Sequence, residues 1–181
     1  MSRVEQPEYQ VAAAEGPFEV RDYGPMIAAE VQVRGERRNA IREGFRLLAA
    51  YIFGANRASA KVEMIAPVHQ QSQQKIAMTA PVTQKAEKGA WSVRFIMPKQ
   101  WTMKTLPAPT DARVKLTPVG AKRTLVIRFS GLAGDGSIAT KTAELRAYAA
   151  RKQLTTVGEP ILSFYNPPWT LPFFRRNEIM L

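Results

Sequence analysis

Residues 18–35, FEVRDYGPMIAAEVQVRG, return without a gap as residues 114–131, VKLTPVGAKRTLVIRFSG, at a spacing of 96 (114 − 18). Gly24 falls on Gly120 and Gly35 on Gly131, while Val20, Ala29, Val31 and Val33 fall on Leu116, Leu125, Ile127 and Phe129. In the first copy Phe18, Val20 and Asp22 lie on one side of a short strand that ends at Tyr23-Gly24-Pro25, a turn signal. Ile27, Ala29, Val31 and Val33 then alternate up to Gly35, so the copy reads as two strands of a hairpin.

A helix follows each copy. Over Glu36–Phe53 the apolar residues Ile41, Phe45, Leu48 and Ile52 keep a 3.6-residue period, and Gly54 suits the left-handed C′ position. The second helix spans Ser137–Lys152, with Leu145, Tyr148 and Ala149 inward. More strands come after each helix: Ile76–Pro81 and Trp91–Met97 in the first half, Ile161–Tyr165 and Asn177–Leu181 in the second. Residues 99–111, tagged by Trp101 and stiffened by Pro107 and Pro109, cross between the halves. The expected fold is α+β: a hairpin–helix–hairpin unit used twice, over 18–98 and 114–181, with two helices packed on an antiparallel sheet. The whole chain, 1–181, reads as one domain, with 1–7 as a flexible arm.

A second repeat lies between the first helix and Trp91. Lys61, Met64, Ala66, Pro67, Val68 and Gln70 recur as Lys75, Met78, Ala80, Pro81, Val82 and Gln84. Ile76, Met78, Ala80 and Val82 alternate with mostly polar neighbours, the period of a half-buried strand. The first copy is either another strand or a loop that mimics one.

Composition narrows the function. A chain of 181 residues with 45% apolar content has enough material for one real core. The absence of cysteine excludes disulfides, thiolate catalysis and cysteine-ligated metal sites. No apolar run approaches the ~18 residues of a membrane span, and the first ten residues hold no signal-peptide core; a cytoplasmic protein is expected. The net charge of +11 comes from 26 scattered Lys and Arg without aromatic interleaving, which favours a solvated basic surface over nucleic-acid binding.

Motifs for hydrolysis or phosphate binding are missing, and the glycines of 131–136 follow no parallel-strand pattern. His69, the single histidine, sits among polar residues and reads as a loop residue rather than a base, so no enzyme activity is expected. Parts for a haem site are present, since haem needs a flat apolar slot, cations for its propionates and optionally an axial ligand. Trp169, Leu171, Phe173 and Phe174 crowd a proline-stiffened segment. Arg175, Arg176 and a helical stripe of Arg38, Arg42 and Arg46 supply cations. His69, Met64 and Met78 are axial candidates, although a methionine in a strand usually packs.

K-I-A-M-T-A-P-V at 75–82 and F-Y-N-P-P-W-T-L-P-F-F-R-R-N-E-I at 164–179 resemble the SOUL haem-binding protein family, and the likeness runs from about Tyr9 to Leu181. That resemblance implies a distorted antiparallel barrel flanked by two helices, and binding of haem or a related tetrapyrrole as carrier, buffer or scavenger. It places the ligand in a shallow apolar site near the first helix and the C-terminal proline loop, at positions matching Ile41, Phe45, Leu48, Trp169, Leu171 and Phe173. Arg42 and Arg46 stand beside that stripe, within reach of propionates. The family has no shared iron-ligand motif to transfer. The alternative is a small-molecule-binding or hydrolytic domain of the same architecture with an apolar ligand other than haem.

Overall fold

The structure, a computed structural model, describes residues 4–57, 74–87, 89–167 and 169–181. His69, Met64 and the first A-P-V block lie outside the described residues. In chain order the elements are β1 (Tyr9–Glu15), β2 (Phe18–Tyr23), β3 (Met26–Arg34), α1 (Arg37–Ile52), β4 (Asn56–Arg57), β5 (Val82–Glu87) and β6 (Ala90–Ile96). They continue with β7 (Ala108–Pro109), β8 (Lys115–Val119), β9 (Lys122–Phe129), α2 (Asp135–Arg151), β10 (Ile161–Phe164) and β11 (Asn177–Met180), with a 3₁₀ turn at Pro172–Phe174 before β11. The fold is α+β: a strongly curled antiparallel half-barrel with two helices against it.

Strand order in the main sheet is β1-β2-β9-β11-β10-β5-β6-β3-β8. Outward from the central β5–β10 pair it runs β6-β3-β8 on one side and β11-β9-β2 on the other. The two strands of each repeat copy are therefore not hairpins. β2 pairs with β1 and β9, whereas β3 pairs with β6 and β8. The chain turns a corner at Gly24-Pro25, because the apolar side of β2 belongs with α2 and that of β3 with α1. Phe18 and Val20 pack with Leu125, Ile127, Leu145 and Tyr148, while Ala29, Val31 and Val33 pack with Leu47, Leu48 and Tyr51.

The Ile76–Pro81 strand is also corrected. That segment is irregular, and the strand begins at Val82. Pro81 has no N–H for a ladder. Its neighbours are held by other bonds: Ile76 N donates to Ile52 O at 2.8 Å, and the Thr79 hydroxyl to Ile96 O. The described part of the expected arm, residues 4–7, is tied down at Glu5. Glu5 bridges Thr79 in parallel, its carbonyl accepts from Ala80 N at 2.9 Å, and its carboxylate accepts from Lys99 N at 2.8 Å. β1 is hard to read from sequence because Tyr9–Glu15 carries a run of three alanines in place of bulky strand formers.

α1 sits very close to the sheet. A Cβ built on Gly44 lies 2.7 Å from Val93 Cγ2 and 3.1 Å from Val31 Cγ2, so only glycine permits this approach. Gly54, at φ +126°, takes the chain out of the helix just after its C-cap. β4 and β7 clip the segments flanking α1 and residues 99–111 together, and Tyr51 Oη donates to Pro107 O at 2.8 Å. Burial pushes the Tyr51 phenol up to about 12.

Candidate functional site

Directly paired residues of a sheet share a face. Val93 pairs with Val31 and Gln84, Gln84 with Leu162, Leu162 with Ile179, and Ile179 with Ile127. This face carries both apolar clusters and both helices. The intervening positions make up the opposite face: Arg21, Tyr23, Glu30, Thr83, Lys85, Ser92, Arg94, Lys122, Thr124, Ser163 and Glu178. Arg21, Glu30, Ser92, Thr124, Ser163 and Glu178 on it are buried. The helix-free face is thus a polar cleft rather than a solvated exterior.

At its centre Arg21 and Glu178 form a two-pronged ion pair, with Nη1–Oε2 at 2.8 Å and Nη2–Oε1 at 2.9 Å, and neither side chain reaches solvent. Tyr165 Oη donates to Glu178 at 2.8 Å, Arg176 Nε donates to it at 2.9 Å, and Arg21 Nε reaches Glu19 at 2.6 Å. Burial would raise the Glu178 carboxyl, but hydrogen bonds and charge from Arg21 and Arg176 overcome it and hold the group below the carboxylate range. Burial and the Glu178 charge both push the Tyr165 phenol far up. A second group stands on β3 and β6, where Ser92 Oγ and Arg94 Nη2 donate to Glu30 Oε1 at 2.6 and 3.1 Å.

Two cavities open along this face. The larger, of about 1000 Å³, runs between the N-terminal arm, the β2–β3 corner and residues 96–103, and holds Met26, Ile27, Ile96, Met97, Trp101 and Met103. The smaller, of about 50 Å³, lies deeper among Tyr23, Thr83, Arg94, Lys122, Tyr165 and Met180. Pro7, Tyr23, Met26, Ile96 and Val119 line both, so they are two chambers of one cleft.

The residues expected from sequence to hold a ligand are in two places. Leu48 is buried in the α1 core and offers no exposed surface. It lies on the stripe's inner edge, between Leu47 and Tyr51. Ile41 is half-buried, Arg42 and Arg46 are exposed, and Phe45 is exposed while its ring meets Phe95 edge-on at 5.3 Å. The C-terminal residues stand apart from these. Trp169 is 83% exposed, Leu171 55%, Phe173 64% and Phe174 69%. Pro172 O accepts from Gly131 N at 2.9 Å, which puts this turn beside exposed Leu132. A cleft of about 520 Å³ there is lined by Phe173, Phe174, Arg175, Arg176, Arg128 and Phe129. None of these three cavities is lined by both α1 and the 169–174 segment. Met78, the described axial candidate, is partly exposed in the irregular stretch before Thr79, not in a strand.

Sequence reading missed the polar cleft. Its signal was present as charge at alternate strand positions (Glu19, Arg21; Glu30; Arg94; Glu178), which period-two patterning assigns to water. Among the described residues no cluster of three metal-ligating side chains occurs, and no helix is long and apolar enough to cross a membrane.

The sequence profile of the SOUL heme-binding protein matches residues 4–74 and 69–181. No curated protein sequence matches the chain. Among solved structures, a hydrolase from Listeria innocua superposes with a TM-score of 0.64 at 13% identity, covering 94% of this chain and 93% of that one. The EcmrR C-terminal domain superposes with a TM-score of 0.60 at 12% identity, covering 96% of each. At such identities these similarities concern the fold alone.

Proposed function

Because the chain belongs to the SOUL heme-binding protein family, we propose that it binds haem or a related tetrapyrrole non-covalently, as a carrier, buffer or scavenger without turnover, on its C-terminal aromatic turn. The observation that carries this reading is the exposure of Trp169, Leu171, Phe173 and Phe174 in one short segment. Large apolar groups in such a patch are rarely left to water without a role in binding. The edge of the patch is basic: Arg128 is exposed on the same cleft. A flat apolar ring against Phe173 and Phe174 with carboxylates toward Arg128 satisfies both halves of an amphipathic ligand. The residues fit a macrocycle and its carboxylates, and haem would bring its own iron chemistry. The helical arginines Arg42 and Arg46 are assigned no part in this site.

Hemin titration followed by the Soret band and Trp quenching tests the proposal. Phe173→Ser with Phe174→Ser is expected to weaken hemin binding at least about tenfold, where ~1.4 kcal/mol is one decade. Arg128→Ala should cost about threefold to tenfold, as for a partly exposed charge-assisted bond, and should not affect haem dimethyl ester. Arg42→Ala with Arg46→Ala should leave affinity unchanged. Loss in the helical pair and none in the aromatic pair would move the site to α1.

A further inference from the structure

The polar face of the sheet contains a half-buried cation, Lys122, that has no compensating partner among the described residues. It lies on β9, opposite Tyr23 of β2. Its charged neighbours, Arg94 on β6 and Lys85 on β5, have the same sign. The carboxylates of that face are committed elsewhere: Glu178 to Arg21 and Arg176, Glu30 to Arg94 and Ser92, and Glu87 to Lys85. Burial first, then repulsion from Arg94 and Lys85, lowers the Lys122 amine from its ordinary value. A lysine under that pressure is destabilised until an anion joins it.

Lys122 stands in the inner chamber, whose size suits a single small head group. The outer chamber is mainly apolar, and Met26, Ile96 and Val119 line both chambers, where a ligand would reach from one to the other. The acidic residues of the outer chamber do not make it a cation site. Glu8 is paired with Lys99 at 2.7 Å, Asp22 with Arg123 at 2.7 Å, and Glu5 accepts from Lys99 N at 2.8 Å. We infer that the cleft is a second ligand site, separate from the aromatic turn, that takes an amphipathic monocarboxylate: its carboxylate on Lys122 in the inner chamber and its apolar tail in the outer one. Tyr23, Thr83 and Tyr165 also line the inner chamber. Trp101, half-buried on the outer chamber with an unpartnered indole N–H, is the natural reporter.

Decanoate is the probe, with binding measured by calorimetry and by Trp fluorescence. Wild type should bind it, and Lys122→Met, which keeps the stem and removes the charge, should weaken binding about tenfold or more. Lys122→Arg should stay within about threefold of wild type. Decanol should bind wild type and Lys122→Met equally. Decyltrimethylammonium should bind more weakly than decanoate. Protein saturated with hemin should still bind decanoate, and Phe173→Ser with Phe174→Ser should leave decanoate affinity intact, which separates failure of this site from failure of the haem site. Circular dichroism confirms that each variant is folded. No binding of decanoate to wild type, Lys122→Met within twofold of wild type, or preference for the ammonium probe overturns the inference.

Discussion

The two halves of the sheet are closed by different physics. In the α1 half (β3, β5, β6, β8), the helix buries Ala40, Gly44, Leu47, Leu48, Tyr51 and Ile52, and Gly44 lets it approach Val93 and Val31 at minimal distance. In the α2 half (β1, β2, β9, β10, β11), the helix buries only Leu145, Tyr148 and Ala149. What the second half lacks in helix burial it holds on its other face, in the Arg21–Glu178–Arg176–Tyr165 network. Similar strand order therefore does not mean similar cohesion. One half relies on close apolar packing, which tolerates no added volume, and the other on buried charge, which tolerates no missing partner.

The largest effect expected from this contrast is Glu178→Leu, which takes the two-pronged partner from the buried Arg21 guanidinium and leaves it only Glu19 and the Tyr23 hydroxyl. Breaking a fully buried pair from one side costs about 3–5 kcal/mol. Urea unfolding should show it, and Arg21→Met with Glu178→Leu should recover much of the loss. The same pair sets an acid limit. The Glu178 carboxyl is lower in the folded chain than its usual value of 4.5. Its contribution is thus complete above that value and is lost as pH falls below it and through the folded value. Wild type should lose stability steeply there, and the Arg21→Met/Glu178→Leu variant less so. Equal acid sensitivity would remove the network from the account of the second half.

Next come matched core truncations. Leu48→Ala and Leu145→Ala each create a cavity costing about 2–5 kcal/mol. Leu48, in the larger cluster under the closer helix, belongs toward the upper end and Leu145 toward the lower. Equality of the two in denaturant would show that the helices hold their halves alike. Smaller still is Gly44→Ala. Overpacking costs about 1–3 kcal/mol, offset by up to ~1 kcal/mol of helix propensity. Combining it with Val93→Ala should restore tolerance of the added methyl by providing the space. Stabilisation by Gly44→Ala alone would disprove tight closure of α1.

The smallest effect has the opposite sign. Lys122→Met removes a repelled, half-buried charge and should raise the melting temperature by no more than about 2–4 °C, the change one kcal/mol makes in a domain of this size. Because the Lys122 amine is lowered by folding, its penalty is present while it is charged and fades as pH rises through the folded value. The gain from Lys122→Met should shrink accordingly in alkaline melts.

Much of this architecture was legible in the residues. α1 was readable because a 3.6-residue apolar stripe has one structural meaning over sixteen residues, and β2, β3, β8 and β9 were readable as strands from their alternation. Pairing was not. Alternation identifies a strand's buried side but not its neighbour, so Phe18–Tyr23 and Met26–Arg34 looked like a hairpin although a corner separates them. The 169–174 turn was visible from its aromatics, yet its distance from α1 depended on the return of β11 to β9. The polar cleft was least visible. Arg21 and Glu178 are 157 residues apart, and a charged residue on a strand's second face looks the same from sequence whether that face meets water or a buried partner.

The corner at Gly24-Pro25 also dictates the order in which the protein can be made. β2 emerges from the ribosome well before its inner neighbour β9, which follows about a hundred residues later, where Phe18 meets Ile127. β3, immediately after it, belongs to the other half. The α1 half, from β3 to β8, is one contiguous stretch set between β2 and β9, so the α2 half is assembled from two separated pieces of chain, and a cut near residue 110 would strip β8 from the α1 half. Until β9 and β11 arrive, β2 can pair only with β1, leaving an open edge of the kind that invites association with other nascent chains. Long-range pairing of this kind also slows folding, because distant segments must be brought together before they reward the chain.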